Sequence, residues 1–273
     1  MSAHSLVTRW IVPALMLSLV TTGCGESPTQ PPTGPRLLAT NIVAFGDSMT
    51  AGENGREGTS DPVPASTSCL PGGGATASSE PQFRTFFIDA KTSYPTSLQS
   101  LLQAVFPRQQ ISVANEGNPG ESSDEGATRL PCVLTLRKPQ ALAILEGVND
   151  LAAGGTSDIT LVVAALEAAL TKDIAAARAA GVTWIYLVTI PPPGVCSGTT
   201  PCRARTAADI TRANDVIRTV AQRTGVPLID AHLHFVAAGA QLSTLIDTDG
   251  LHLTPAGYTL IAQSLYVQLP VSQ

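Results

Sequence analysis

The residues able to do nucleophilic chemistry sit in two stretches far apart in the chain. In the first, the apolar run Ile42-Val43-Ala44-Phe45 enters Gly46-Asp47-Ser48-Met49-Thr50, the pattern of a buried parallel strand closing in a tight turn. Such a turn leaves the Ser48 hydroxyl at the carboxyl end of a sheet strand, where open α/β sheets bind their ligands. A serine becomes a nucleophile only beside a base. Of the four histidines, His4 falls in the leader, while His252 stands in Asp249-Gly250-Leu251-His252 with an aspartate three residues back. On a turn, that spacing lets the Asp249 carboxylate hold one ring nitrogen of His252 and leaves the other facing outward to take the serine proton. The chemistry this predicts is acyl transfer, whose tetrahedral intermediate carries an oxyanion and requires donors aimed at it. Candidates are the N–H of Ser48, the N–H of Gly120, which can approach closely because glycine has no Cβ, and the side-chain amide of Asn149. Each follows a predicted strand.

Other arrangements compete less well. His232 and His234 lie two apart after a strand, so with Asp230 they would share a face as a metal pair if the strand continued. No third ligand is convincingly spaced; a structural role is expected for both, and no metal is assigned. A metal-dependent hydrolase drawing on Asp47, Asp249 and the histidines is the weakest alternative. The other serine-hydrolase pattern, GxSxG, fails because position 50 is threonine.

Strands alternating with helices must position these residues, and the chain offers them in order. Residues 94–106 carry Leu98, Leu101, Leu102 and Val105 on one helical face before Pro107. A strand over 110–115 leads into Gly117-Asn118-Pro119-Gly120, a helix covers 123–130, and a strand over 141–145 ends at Gly147-Val148-Asn149-Asp150. The longest helix is predicted over 158–180, capped by Thr156 or Ser157 and closed by Gly181. A strand over 182–190, a helix over 206–224, a strand over 226–230 and a helix over 254–267 complete the series. This alternation predicts a parallel sheet covered on both faces, in one domain over 37–270. Residues 51–91, dense in Gly, Pro, Ser and Thr, interrupt it as a long loop without its own period, read as a lid or substrate wall.

With 273 residues, 44% apolar and 14% charged, the chain can bury one good core. Its net charge is −5 and its 16 Lys and Arg residues form no basic run, which argues against a nucleic-acid partner. Residues 1–23 read as a signal peptide, with Arg9, an apolar core from Trp10 to Val20, and small residues before Cys24. That core is about half the roughly 20 residues a spanning helix needs. The stretch resembles a bacterial lipoprotein signal, which implies lipidation of Cys24; the threonines before Gly23 depart from the usual pattern, so plain secretion stays open. Residues 24–36 form a flexible linker. The expectation is an exported monomer in the cell envelope, periplasm or outer membrane, touching the membrane only through Cys24, or else secreted. The other four cysteines allow three disulfide pairings; the short loop favours Cys196 with Cys202 and hence Cys69 with Cys132. Their spacing does not match paired zinc ligands.

Taken together, the blocks Gly46-Asp47-Ser48-Met49-Thr50, Asn115-Glu116-Gly117-Asn118-Pro119-Gly120, Gly147-Val148-Asn149-Asp150 and Asp249-Gly250-Leu251-His252 resemble the SGNH, or GDSL-type, hydrolase family, whose four letters map onto Ser48, Gly120, Asn149 and His252. The resemblance covers nearly the whole domain. It implies a three-layer α/β/α sandwich with a parallel sheet, flavodoxin-like, that hydrolyses an ester or thioester of a small molecule or glycan without a cofactor. By that analogy Ser48 is the nucleophile, His252 the base and Asp249 its orienter, with Ser48, Gly120 and Asn149 forming the oxyanion hole. Deacetylation or acyl transfer on envelope sugars, and a non-catalytic lipid-anchored binding protein, are the alternatives. Departures from the family are the 51–91 insertion, Glu146 before Gly147, and the loop between Cys196 and Cys202.

Overall fold

A computed structural model describes residues 34–55, 60–70, 87–151, 158–199 and 202–272. The signal segment 1–23, Cys24 and the linker as far as residue 33 lie outside the described residues, as do 56–59 and 71–86 of the insertion and the cap candidates Thr156 and Ser157.

In chain order the elements are β1 (Asn41–Gly46), α1 (Ser48–Ala51), β2 (Glu53–Asn54), β3 (Phe87–Ile88), α2 (Tyr94–Val105), β4 (Ser112–Gly117), α3 (Ser123–Arg137), β5 (Ala141–Leu145), α4 (Ile159–Ala179), β6 (Trp184–Val188), α5 (Ala207–Thr224), β7 (Leu228–Ile229), α6 (Ala231–Ala237), α7 (Leu242–Leu245) and α8 (Pro255–Tyr266). Five of the strands form one parallel sheet in the order β4-β1-β5-β6-β7. Numbered among themselves these strands run 2-1-3-4-5, the flavodoxin-like order. The chain steps one way from β1 to β4 and the other way ever after, so right-handed crossovers put α2 on one face and α3, α4 and α5 on the other. Helix packing agrees: α2 lies against α8, while α3, α4 and α5 pack in succession. The result is the expected three-layer sandwich. With both faces covered, β1 is buried from Ile42 to Gly46 and β5 along its whole length, which is why these strands read as continuous apolar runs.

Local chemistry explains most of the boundaries. Ser93 caps α2 by accepting from Thr96, and Ser122 with Glu125 forms a capping box on α3. The α3 helix runs seven residues past the expected end, straight through Pro131. Proline removes one helical hydrogen bond there, but the last turns are anchored from outside, by the Cys69–Cys132 disulfide and by Arg137 on Glu116. Asp158 itself caps α4, accepting from Thr160. The last two strands are shorter than predicted; in particular, Asp230 accepts from Leu233 and so starts α6 where a strand was expected to end.

The insertion is not structureless. Its first residue closes α1, β2 pairs with β3 in a small antiparallel ladder, and Thr67–Cys69 makes a 3-10 turn. Ser66 donates both N–H and hydroxyl to the buried Glu116 carboxylate, which fastens this part of the insertion to β4. Both disulfides form as expected, Cys69–Cys132 and Cys196–Cys202.

Candidate active site

Ser48 is the first residue of α1, directly beyond β1, with Asp47 as its cap. The registers Gly46 with Gly117 and Gly46 with Leu145 align the ends of β4, β1 and β5. Ser48, Gly120 and Asn149 therefore all leave the same edge of the sheet, at the point where the strand order reverses, the position where open sheets of this kind hold ligands.

The fourth segment arrives from the loop before α8. His252 Nε2 lies 2.9 Å from Ser48 Oγ, and His252 Nδ1 lies 2.6 Å from Asp249 Oδ2. The other Asp249 oxygen accepts the backbone N–H groups of Leu251 at 3.0 Å and His252 at 2.9 Å. Burial pushes the Asp249 carboxyl up, but the bonds from the His252 ring and from the two backbone groups outweigh it and hold the group below the usual carboxylate range. Asp249 thus stays charged and fixes the imidazole with Nε2 toward the serine. Both residues are deeply set: Ser48 is 1% exposed and His252 0%.

The turn between the two partners depends on Gly250. Its φ is +74°, and a Cβ there would stand 2.8 Å from Cys196 Sγ and 2.9 Å from Ala204 Cβ. The disulfide loop is stitched onto this turn by Gly194 N–H to Gly250 O, Ser197 N–H to Thr248 O and Arg203 N–H to Asp249 O. On the other side, Gly55 of the insertion donates to Asp247. Two of the three departures seen in the sequence, insertion and disulfide loop, flank the same turn.

On the opposite side of Ser48, Gly120 has φ +82°, and a Cβ on it would meet nothing within 4 Å. That positive φ is a backbone conformation that favours glycine. The N–H groups of Ser48 and Gly120 donate to no acceptor among the described residues. Asn149 uses one of its two amide protons on Glu121 O at 2.9 Å, leaving a second for a ligand. Ser123 clamps the neighbouring Asp150 carboxylate through N–H and hydroxyl, at 2.9 and 2.6 Å.

Beneath these donors lies an ionic network that the motifs did not reveal. Arg129, buried over the Phe45 ring at 4.2 Å, binds Glu121 through Nε at 2.7 Å and through Nη2, and donates to Glu116 O at 3.0 Å. Glu146, flagged only as a departure, is buried with both carboxylate oxygens unbonded, in space that Gly126 leaves open. Burial first, then the charges of Asp47, Glu121 and Asp173, raise its pKa well above the ordinary value. Asp47 is pushed up to about 7 by burial, against the N–H of Met49, with Glu121, Asp150 and Glu53 adding to the rise. Asp173, inside α4 and likewise unbonded, is pushed up to about 8 by burial.

The other histidines serve structure. They sit on helix α6, where residues two apart point to different sides; His232 Nδ1 is 3.2 Å from Ile190 O and His234 Nδ1 is 2.7 Å from Ser264 Oγ. Among the described residues no group of three His, Cys, Asp or Glu could hold a metal ion. Arg203 and Glu53 were not singled out by the sequence. Glu53 Oε1 lies 2.9 Å from Arg203 Nη1 and 3.9 Å from His252 Nε2.

Residues 44–260 match the GDSL-like lipase/acylhydrolase family. No curated protein matches the sequence. Among solved structures, the fold is similar to a lipase/acylhydrolase from Enterococcus faecalis, with TM-score 0.57 at 21% identity over 85% of this chain and 98% of that one. It is also similar to a catalytic mutant of an acetylxylan esterase from Geobacillus stearothermophilus, TM-score 0.57 at 20% identity over 84% and 94%. A carbohydrate acetylesterase from Sinorhizobium meliloti gives 0.57 at 13% identity over 83% and 96%.

Proposed function

Since the chain belongs to the GDSL-like lipase/acylhydrolase family, we propose that it hydrolyses carboxylic esters, or thioesters, through an acyl-enzyme on Ser48. The observation that carries this reading is the single imidazole bonded on one nitrogen to Ser48 Oγ and on the other to Asp249. His252 Nε2 takes the hydroxyl proton as Oγ attacks the acyl carbon, and Asp249 stabilises the imidazolium that forms. The resulting oxyanion takes hydrogen bonds from the N–H groups of Ser48 and Gly120 and from the Asn149 amide. Collapse breaks the bond to the leaving oxygen or sulfur, which departs with the proton from Nε2. Water then attacks the acyl-enzyme with His252 again as base and releases the acid.

The test is turnover of a short p-nitrophenyl ester together with labelling by a fluorophosphonate probe. Wild type should do both, and Ser48→Ala neither, with an unchanged circular dichroism spectrum. Activity retained by Ser48→Ala refutes the assignment; failure of wild type to label favours a binding protein on the same fold.

The protein acts, in this reading, outside the cytoplasm as a lipid-anchored or secreted monomer. Two disulfides support an oxidising compartment. Labelling with a fatty-acid analogue that is lost in Cys24→Ala tests the anchor.

A further inference from the structure

We propose that Glu53 and Arg203 form the subsite for the alcohol half of the ester, and that it selects alcohols bearing a hydroxyl beside the ester oxygen, polyols and sugars, over simple alkyl alcohols. This rests on Ser48 and His252 being the reacting pair. Glu53 is built in from several sides. It opens β2, pairs with Ile88 of β3, and its carbonyl accepts the hydroxyl of the buried Tyr258. Its carboxylate binds Arg203, and Arg203 is itself fixed through its N–H to Asp249 O at 2.8 Å and through its carbonyl to Arg205 Nη1 at 2.6 Å. The pair therefore bridges the insertion and the residue just past the disulfide loop, two segments that distinguish this chain, with the Glu53 carboxylate beside the imidazole.

Position decides what the pair meets. The leaving oxygen must come within hydrogen-bonding reach of Nε2, roughly 2.6–3.2 Å, to receive its proton. Glu53 Oε1 is 3.9 Å from that same nitrogen, so the carbon skeleton attached to the leaving oxygen passes beside the carboxylate. A hydroxyl on the next carbon donates to Glu53 and accepts from Arg203, whose side chain is 30% exposed. An alkyl group in the same place strips water from the ion pair and returns no hydrogen bond, the situation in which polar sites discriminate most strongly.

The experiment compares glycerol 1-acetate with propyl acetate, which share acyl group and chain length and differ in two hydroxyls, by pH-stat on the full chain. Wild type should favour the glycerol ester in kcat/KM. In Glu53→Gln, and independently in Arg203→Met, the ratio of the two kcat/KM values should fall at least tenfold. A ratio within twofold of wild type in both variants overturns the proposal, as does a wild type that prefers propyl acetate. Arg203→Met changes the more exposed partner and carries the test alone should Glu53→Gln not fold. A wild type that hydrolyses neither ester and does not take the fluorophosphonate label overturns the esterase reading itself, and this inference with it; a wild type that labels but hydrolyses neither overturns this inference only.

Discussion

His252 Nε2 stands 2.9 Å from Ser48 Oγ although 204 positions separate the two residues. What fixes that contact is Asp249, because its carboxylate holds the far side of the ring and the backbone on which the ring is mounted. Asp249→Asn should keep the fold and lower kcat by about 10³- to 10⁴-fold, since an amide does not hold the required tautomer. Steady-state kinetics on p-nitrophenyl acetate check this; a loss under tenfold would show that the carboxylate is dispensable.

The two disulfides should separate stability from activity. Cys69–Cys132 closes a loop of sequence separation 63, Cys196–Cys202 one of only 6. On chain-entropy grounds the first contributes about 4 kcal/mol and the second about 2. Only the second packs on Gly250 between Asp249 and His252. Replacing Cys69 and Cys132 with alanine should lower the urea midpoint more; replacing Cys196 and Cys202 should lower kcat more. The reverse order in either measurement contradicts the structure.

Buried carboxylates make stability fall with pH. Asp47 and Asp173 keep their protons in the native state up to about 7 and about 8, whereas unfolded aspartates lose theirs near 4. The native state therefore binds more protons between those values, and stability, full below about pH 4, declines as pH rises through 7 and 8. Asp249 works oppositely: its lowered pKa gives stability that is present above the unfolded value and lost as pH falls through the folded one. From pH 5 to 8 the raised pair dominates. Urea denaturation should show wild type losing several kcal/mol over that range, ~7 kcal/mol if both protons are retained to those values, with a flatter slope in Asp173→Asn. Equal slopes would rule the assignment out.

Arg129 neutralises buried acids below the site. Arg129→Met leaves Glu121 and Glu116 without their buried guanidinium and should cost about 3–5 kcal/mol in urea unfolding. A change under 1 kcal/mol would rule this role out.

The convergence of Ser48, Asp249 and His252 was legible in the sequence because each sits just past an apolar run or within three positions of its partner: Ser48 after β1, Asp249 ahead of His252. Helix α3 was cut short because Pro131 is a strong local stop, and the anchors that override it, Cys132 and Arg137, join residues distant in sequence. Glu53 and Arg203 carried no signal for the same reason: 150 positions lie between them. His232 and His234 would have shared a face only if the strand had continued; Asp230 instead caps α6, which carries both.

The order of segments has a consequence for biosynthesis. As the polypeptide emerges, Ser48 is made just after the first strand and His252 only with the loop preceding α8. In the proposed mechanism, every nascent chain shorter than that holds Ser48 without the imidazole that would activate it.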